Sequence, residues 1–141
     1  MKIFFLSMFF VAITTINTQA QCDKKVIIVS SQTKHLNSNN DVQRTVDETT
    51  TIEYDQKEIS VSAGNDPVMH GTIKSVSCEW KTPFKSGKTI LKAALEGQQG
   101  ETMNFTITIE GKEGKINFLA EMDENADEKI SIVVDKFEEK K

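Results

Sequence analysis

The sequence predicts an all-β domain: an antiparallel up-and-down meander of about eight strands closed into a small barrel, with a two-sheet sandwich as the alternative. Three observations lead there. Apolar and polar residues alternate with a period of two over much of the chain. Clusters of turn-forming residues interrupt the alternation at short intervals. No window carries apolar residues at i, i+3, i+4 and i+7 for two turns, the spacing of a buried helix face. Short connections join sequential antiparallel strands, which favours a meander, whereas a sandwich commonly needs longer crossings.

In chain order, residues 1–20 read as a signal peptide. Met1-Lys2 is a short positive start, residues 3–16 are uncharged and mostly apolar, and Thr18-Gln19-Ala20 offers small residues where a signal peptidase reads them. The expected cut precedes Gln21. The apolar run is shorter than the roughly twenty residues a membrane helix needs, so no membrane span is expected. Cys22 raises a lipid anchor as a rival, but Gln21 stands where that processing requires a small residue. Residues 21–141 then form a single domain.

Residues 26–30 are a continuous apolar run, read as a strand covered on both sides or one shared between two sheets. Residues 37–41, Asn-Ser-Asn-Asn-Asp, are a loop. Val46, Thr50, Ile52 and Tyr54 share a face; residues 42–48 are the only place for a short helix, and strand is preferred there. Ile59, Val61 and Ala63 alternate before the turn Gly64-Asn65-Asp66-Pro67. Between His70 and Trp80 the parity changes, with Ile73 odd and Val76, Cys78 and Trp80 even, so a bulge is expected near Lys74 or Ser75. Pro83 and Ser86-Gly87 mark a loop, after which Thr89, Leu91, Ala93 and Leu95 form a strand ended by residues 97–100.

The clearest element follows. Met103, Phe105, Ile107 and Ile109 alternate with polar residues, Gly111-Lys112-Glu113-Gly114 supplies a turn, and Ile116, Phe118, Ala120 and Met122 return as a β-hairpin. An acidic turn at 123–128 leads to a last strand with Ile130, Ile132 and Val134 inward, and residues 138–141 form a polar tail.

With its leader, size and strand order, and with the run Cys78-Glu79-Trp80-Lys81-Thr82-Pro83-Phe84 ahead of the hairpin at 111–114, the chain resembles the small secreted lipocalin-like (calycin-type) barrel proteins of Gram-negative bacteria. The resemblance covers roughly residues 26–137 and is architectural. The only tryptophan, Trp80, lies mid-chain, and no G-x-W run opens the first strand. The resemblance implies a periplasmic or secreted barrel and assigns no binding residue.

Chemistry is sparse. Without the leader's Lys2 the domain carries 16 basic and 21 acidic residues, and no basic stripe, which gives no reason to expect a nucleic-acid partner. Cys22 and Cys78 are the only cysteines, and in an oxidising compartment they are expected to form a disulfide. Together with His35 and His70 they lack the paired short spacing of a zinc site, so no metal is expected. The two histidines are read as surface residues, no nucleophile elbow is present, and no catalytic residue or cofactor is assigned. The acidic turn lacks the EF-hand arrangement and is read as a solvated hairpin tip. Asn104-Phe105-Thr106 matches a glycosylation sequon.

Binding is what remains. An eight-strand barrel is just wide enough to be filled by side chains or to hold one small ligand. Candidate interior residues are Ile52, Tyr54, Val61, Val76, Trp80, Leu91, Leu95, Phe105, Ile107, Phe118 and Val134. Tyr54, Trp80, Phe105 and Phe118 are the candidate ligand-binding residues, Tyr54 and Trp80 because each joins a flat apolar body to a polar tip. The expected function is non-enzymatic: an exported barrel binding a small apolar ligand. The alternative is a protein-interaction module, such as a periplasmic inhibitor or envelope-assembly factor, using loops 36–41 and 79–88.

Overall fold

The computed structural model describes residues 20–141; the expected leader, apart from Ala20, lies outside the described residues. After a single 3-10 turn, Ala20–Asp23, eight strands follow in a meander: β1 (Val26–Leu36), β2 (Val42–Tyr54), β3 (Glu58–Ala63), β4 (Met69–Thr82), β5 (Ser86–Glu96), β6 (Thr102–Lys112), β7 (Lys115–Met122) and β8 (Lys129–Glu139). Each pairs antiparallel with its neighbour in sequence, and β1 pairs with β8, so the sheet closes as a barrel and the sandwich is set aside.

The hairpin between β6 and β7 forms in the expected register, with Ile109 opposite Phe118 and Ile107 opposite Ala120. Its turn is tighter than the four residues suggested. Lys112 pairs with Lys115, leaving Glu113 (φ 52°) and Gly114 (φ 85°) as a two-residue loop with both dihedrals positive, which matches the right-handed twist of the strands. Gly111 belongs to β6 instead. The expected bulge in β4 is present as a register shift between Ile73 and Ser75.

Two expectations need correction. The apolar run at the start of β1 is not doubly covered: Val26, Ile28 and Ser30 are buried, while Ile27 and Val29 are half-buried on the outer face, flanked there by Glu53 and Glu138 and by Thr51 and Lys136. Val76 faces Leu91 across the β4–β5 ladder yet is 37 % exposed. The reason is the length of β3, which pairs with β4 only as far as Glu58 opposite Thr72. Beyond that point β4 has no strand on its other side.

The base of the barrel is closed by the 3-10 turn. Cys22 is disulfide-bonded to Cys78 of β4, with Cα atoms 5.9 Å apart. Gln56, in the β2–β3 turn, donates its side-chain amide to the Cys22 carbonyl and the Asp23 carboxylate at 3.1 and 3.0 Å. Gln21 is buried, and its side-chain oxygen accepts from the backbone N–H of Phe84 in the β4–β5 turn. The turn thus bridges the open seam between β3 and the lower part of β4.

Candidate functional site: the open mouth of the barrel

Inward-facing residues divide the interior into two halves. The lower half is filled. Trp80 is 1 % exposed and packs against Phe137, with ring centroids 5.5 Å apart; Phe84 meets Phe137 edge-on at 5.0 Å. Trp80 stands opposite Gly87, itself opposite Gly111, and the indole occupies the space those glycines leave. A Cβ on Gly111 would lie 2.7 Å from both Trp80 Cζ3 and the Lys85 carbonyl oxygen.

The polar tips of this half are satisfied internally. Trp80 Nε1–H donates to Thr89 Oγ1 at 2.8 Å, and that hydroxyl lies 3.5 Å from Cys78 Sγ and within hydrogen-bonding reach of the Tyr54 phenol. Thr89 is 1 % exposed. Burial pushes the Tyr54 hydroxyl well above its ordinary pKa, against a smaller opposing effect of the Thr89 contact, so the phenol is neutral at physiological pH.

The upper half is hollow. A cavity of about 440 Å³ opens between the ends of the strands near loops 37–41 and 64–68. That is the size of an ordinary small-molecule site. Its wall is mostly apolar: Ile52, Ile59, Leu95, Phe105, Ile107 and Phe118 are buried, with Val46, Val61, Ala63 and Ile130 higher up. Thr33 and Thr50 place a hydroxyl pair in the wall, 3.3 Å apart. Towards the rim stand His35, Arg44, Glu48 and Asp66.

Of the four residues singled out from the sequence, Phe105 and Phe118 line this cavity; Tyr54 and Trp80 belong to the packed lower half. His35, expected at the surface, is half-buried at the rim, and neither it nor Arg44 and Glu48 stood out beforehand. A signal was available for the β2 pair. Arg44 and Glu48 continue the even parity of Val46, Thr50, Ile52 and Tyr54.

The rim has a defined electrostatic state. Arg44 Nη2 lies 3.1 Å from His35 Nε2. A guanidinium can only donate, so Nε2 must accept and the imidazole is neutral with its proton on Nδ1. Desolvation, then the charge of Arg44, lowers the His35 pKa, against weaker opposing effects of Glu48 and Glu128. Among the described residues no carboxylate lies within 4.0 Å of the Arg44 guanidinium, which leaves its remaining N–H groups for solvent or a guest.

A second groove, about 480 Å³, runs along the wall where β8 leaves β7 beyond Asn117 opposite Val133. It is open to solvent along the strands and bordered by Lys34, Lys115, Asp135 and Lys136. The acidic turn at 123–128 is committed to structure: Glu124 accepts from the Asn104 side-chain amide, and Asp127 accepts from the Ser38 N–H. The Asn104 side chain at Glu124, and the Ser38 side chain and then its N–H at Asp127, hold both carboxyls below their usual pKa. Among the described residues no group of three His, Cys, Asp or Glu side chains is placed to hold a metal ion. No described helix is long and apolar enough to cross a membrane. Compared with family models, with curated proteins and with solved structures, the chain matches none.

Proposed function

We propose that this chain is an exported, lipocalin-like binding protein whose open barrel half receives a small, largely apolar ligand, without catalysing its conversion. The observation that carries the reading is the contrast within one barrel: a base packed around Trp80, Phe84 and Phe137, and above it a cavity of about 440 Å³ with mostly apolar walls. Burying apolar surface against such walls contributes roughly 25 cal/mol per Å², so even a modest guest gains several kcal/mol before its entropy costs. The polar rim adds orientation. Arg44 offers donors to a ligand end that accepts hydrogen bonds, and the Thr33–Thr50 hydroxyls offer a second polar point deeper in.

The disulfide is compatible with an oxidising, exported location, periplasmic or secreted. A protein-interaction role would draw on loops 36–41 and 79–88. These stand at opposite ends of the barrel, so they offer no common surface.

Native mass spectrometry of protein purified without denaturation tests the reading, together with titration of anilinonaphthalene sulfonate, an apolar fluorophore with an anionic end. We expect bound mass that leaves on denaturation, or probe binding that weakens at least tenfold in Ala63→Phe, which fills the cavity from its upper wall. A bare protein whose probe response is the same in wild type and Ala63→Phe refutes the proposal.

A further inference from the structure

Gln21 occupies a position that a freshly cut N-terminus fits poorly. In the uncut chain it is only 3 % exposed, in the turn that plugs the barrel base. Its side-chain oxygen accepts from the N–H of Phe84, a residue held at φ 59°, in the left-handed region that non-glycine residues rarely adopt. Its own carbonyl accepts from Lys24 N–H at 3.2 Å. The side-chain Nε2, by contrast, makes no hydrogen bond to the described residues. Among the described residues, only the oxygen end of the amide is held. Removal of residues 1–20 would place a charged α-ammonium on this buried residue, and desolvating a charge is costly unless it is paired or neutralised.

We infer that Gln21 is a modification site: once the leader is removed, the new N-terminal glutamine closes to pyroglutamate. The α-amine nitrogen attacks the side-chain Cδ, the Cα–N–Cδ ring forms, and the Cδ–Nε2 bond breaks. Ammonia leaves, carrying the proton released by the amine, and neither oxidant nor co-reactant is consumed. The ring carbonyl keeps the former Oε1, the atom that serves Phe84. The nitrogen that departs is the one that makes no hydrogen bond to the described residues. The product is a neutral plug, blocked against aminopeptidases, tied on its other side by the Cys22–Cys78 disulfide.

This inference rests on the export reading, and the test separates the two. The full-length chain is expressed with its leader, purified from the exported fraction, and its N-terminal peptide sequenced by mass spectrometry. The expected peptide begins at residue 21 and is lighter than the unmodified one by one ammonia, about 17 Da. It resists Edman degradation, and pyroglutamyl aminopeptidase opens it only after reduction and denaturation. Gln21→Glu, which keeps an oxygen acceptor but closes far more slowly, is expected to start with a free amine. A peptide that begins at Gln21 and keeps its free amine after days at neutral pH overturns the inference and leaves the export reading standing. An exported chain that begins elsewhere overturns the inference together with the expected cut, and a chain that keeps its leader and is absent from the exported fraction overturns the export reading. Ready cleavage by the aminopeptidase in the native protein overturns the buried ring.

Discussion

Replacing Thr89 with valine removes one oxygen from the middle of the packed half and changes almost nothing else. The side chains have nearly the same shape, and both are β-branched, so strand propensity is retained. The loss falls on buried partners. Trp80 Nε1–H, now 2.8 Å from Thr89 Oγ1, would have no acceptor in a site where Trp80 itself is 1 % exposed. The Tyr54 phenol, on a residue 6 % exposed, would lose the same hydroxyl. A buried polar group left unsatisfied costs about 1–3 kcal/mol, and two such groups place the expected destabilisation near the top of that range, about 3 kcal/mol. For a domain of this size that corresponds to a fall in Tm of roughly 10–15 °C. Thermal and urea unfolding followed by circular dichroism read it directly. Thr108→Val, on the outer face of β6, is the control and should stay within about 0.5 kcal/mol. Probe binding by the folded variant should be unchanged, because Thr89, Trp80 and Tyr54 lie outside the cavity wall. Stability equal to that of the control would refute the network; loss of binding in the folded variant would mean that the base belongs to the ligand site.

Three further outcomes are expected. Replacing both Cys22 and Cys78 with serine opens a bridge spanning 56 residues, which by chain-entropy reasoning lowers stability by about 4 kcal/mol; a change below about 1 kcal/mol in urea unfolding would show that the plug holds without its tether. Gly111→Ala pushes a methyl group against Trp80 and the Lys85 carbonyl and should cost about 1–3 kcal/mol, with a changed near-ultraviolet signal from the indole; an unaltered spectrum and Tm count against the glycine niche. His35 has its pKa lowered in the folded chain below its ordinary 6.5, so the unfolded chain takes up the proton first. Its contribution is therefore complete above pH 6.5 and is lost as the pH falls from there through the folded pKa, and His35→Gln should flatten the stability profile in that window. A profile identical to wild type would mean that the Arg44 contact does not set the imidazole's charge state.

The parts of the fold that could be read from sequence were those decided by a strand's own two faces. Met103 to Ile109 and Ile116 to Met122 alternate cleanly around a glycine-bearing turn, so the hairpin and its inward residues followed from period two alone. The parity break between Ile73 and Val76 announced the bulge in the same way. What period two cannot supply is height along the barrel axis. Tyr54 and Trp80 point inward as expected, but whether an inward residue meets a neighbour or empty space depends on strands distant in sequence. Their polar tips did need a partner, and the partner is Thr89, visible only once β2, β4 and β5 are brought together. Val76 fails for a related reason: its face is inward, yet the shortness of β3 leaves it uncovered.

The distribution of side-chain size along the axis explains why one barrel can be packed and hollow at once. Eight strands enclose little more than the volume their own side chains fill, so large rings in one layer close it completely. Trp80, Tyr54, Phe84 and Phe137 gather in the lower half, and the disulfide and the Gln21 contact are at the same end. The upper wall spends smaller groups at comparable positions: Ala63, Ala120, Val46, Thr33 and Thr50. Unfilled apolar volume forgoes dispersion contacts, so it costs stability wherever it occurs. Concentrating the tethers and four of the six described aromatic rings at the base, with Phe105 and Phe118 left in the cavity wall, offsets that cost away from the mouth. The two halves should therefore respond separately to substitution. Changes at Thr89, Gly111 or the cysteines should move Tm and leave probe affinity alone, whereas Ala63→Phe should weaken probe binding at least tenfold and, by filling empty space, leave Tm unchanged or raised. A set of variants in which Tm and affinity fell together from both ends would show one continuous core and would remove the physical basis for assigning the mouth to a ligand.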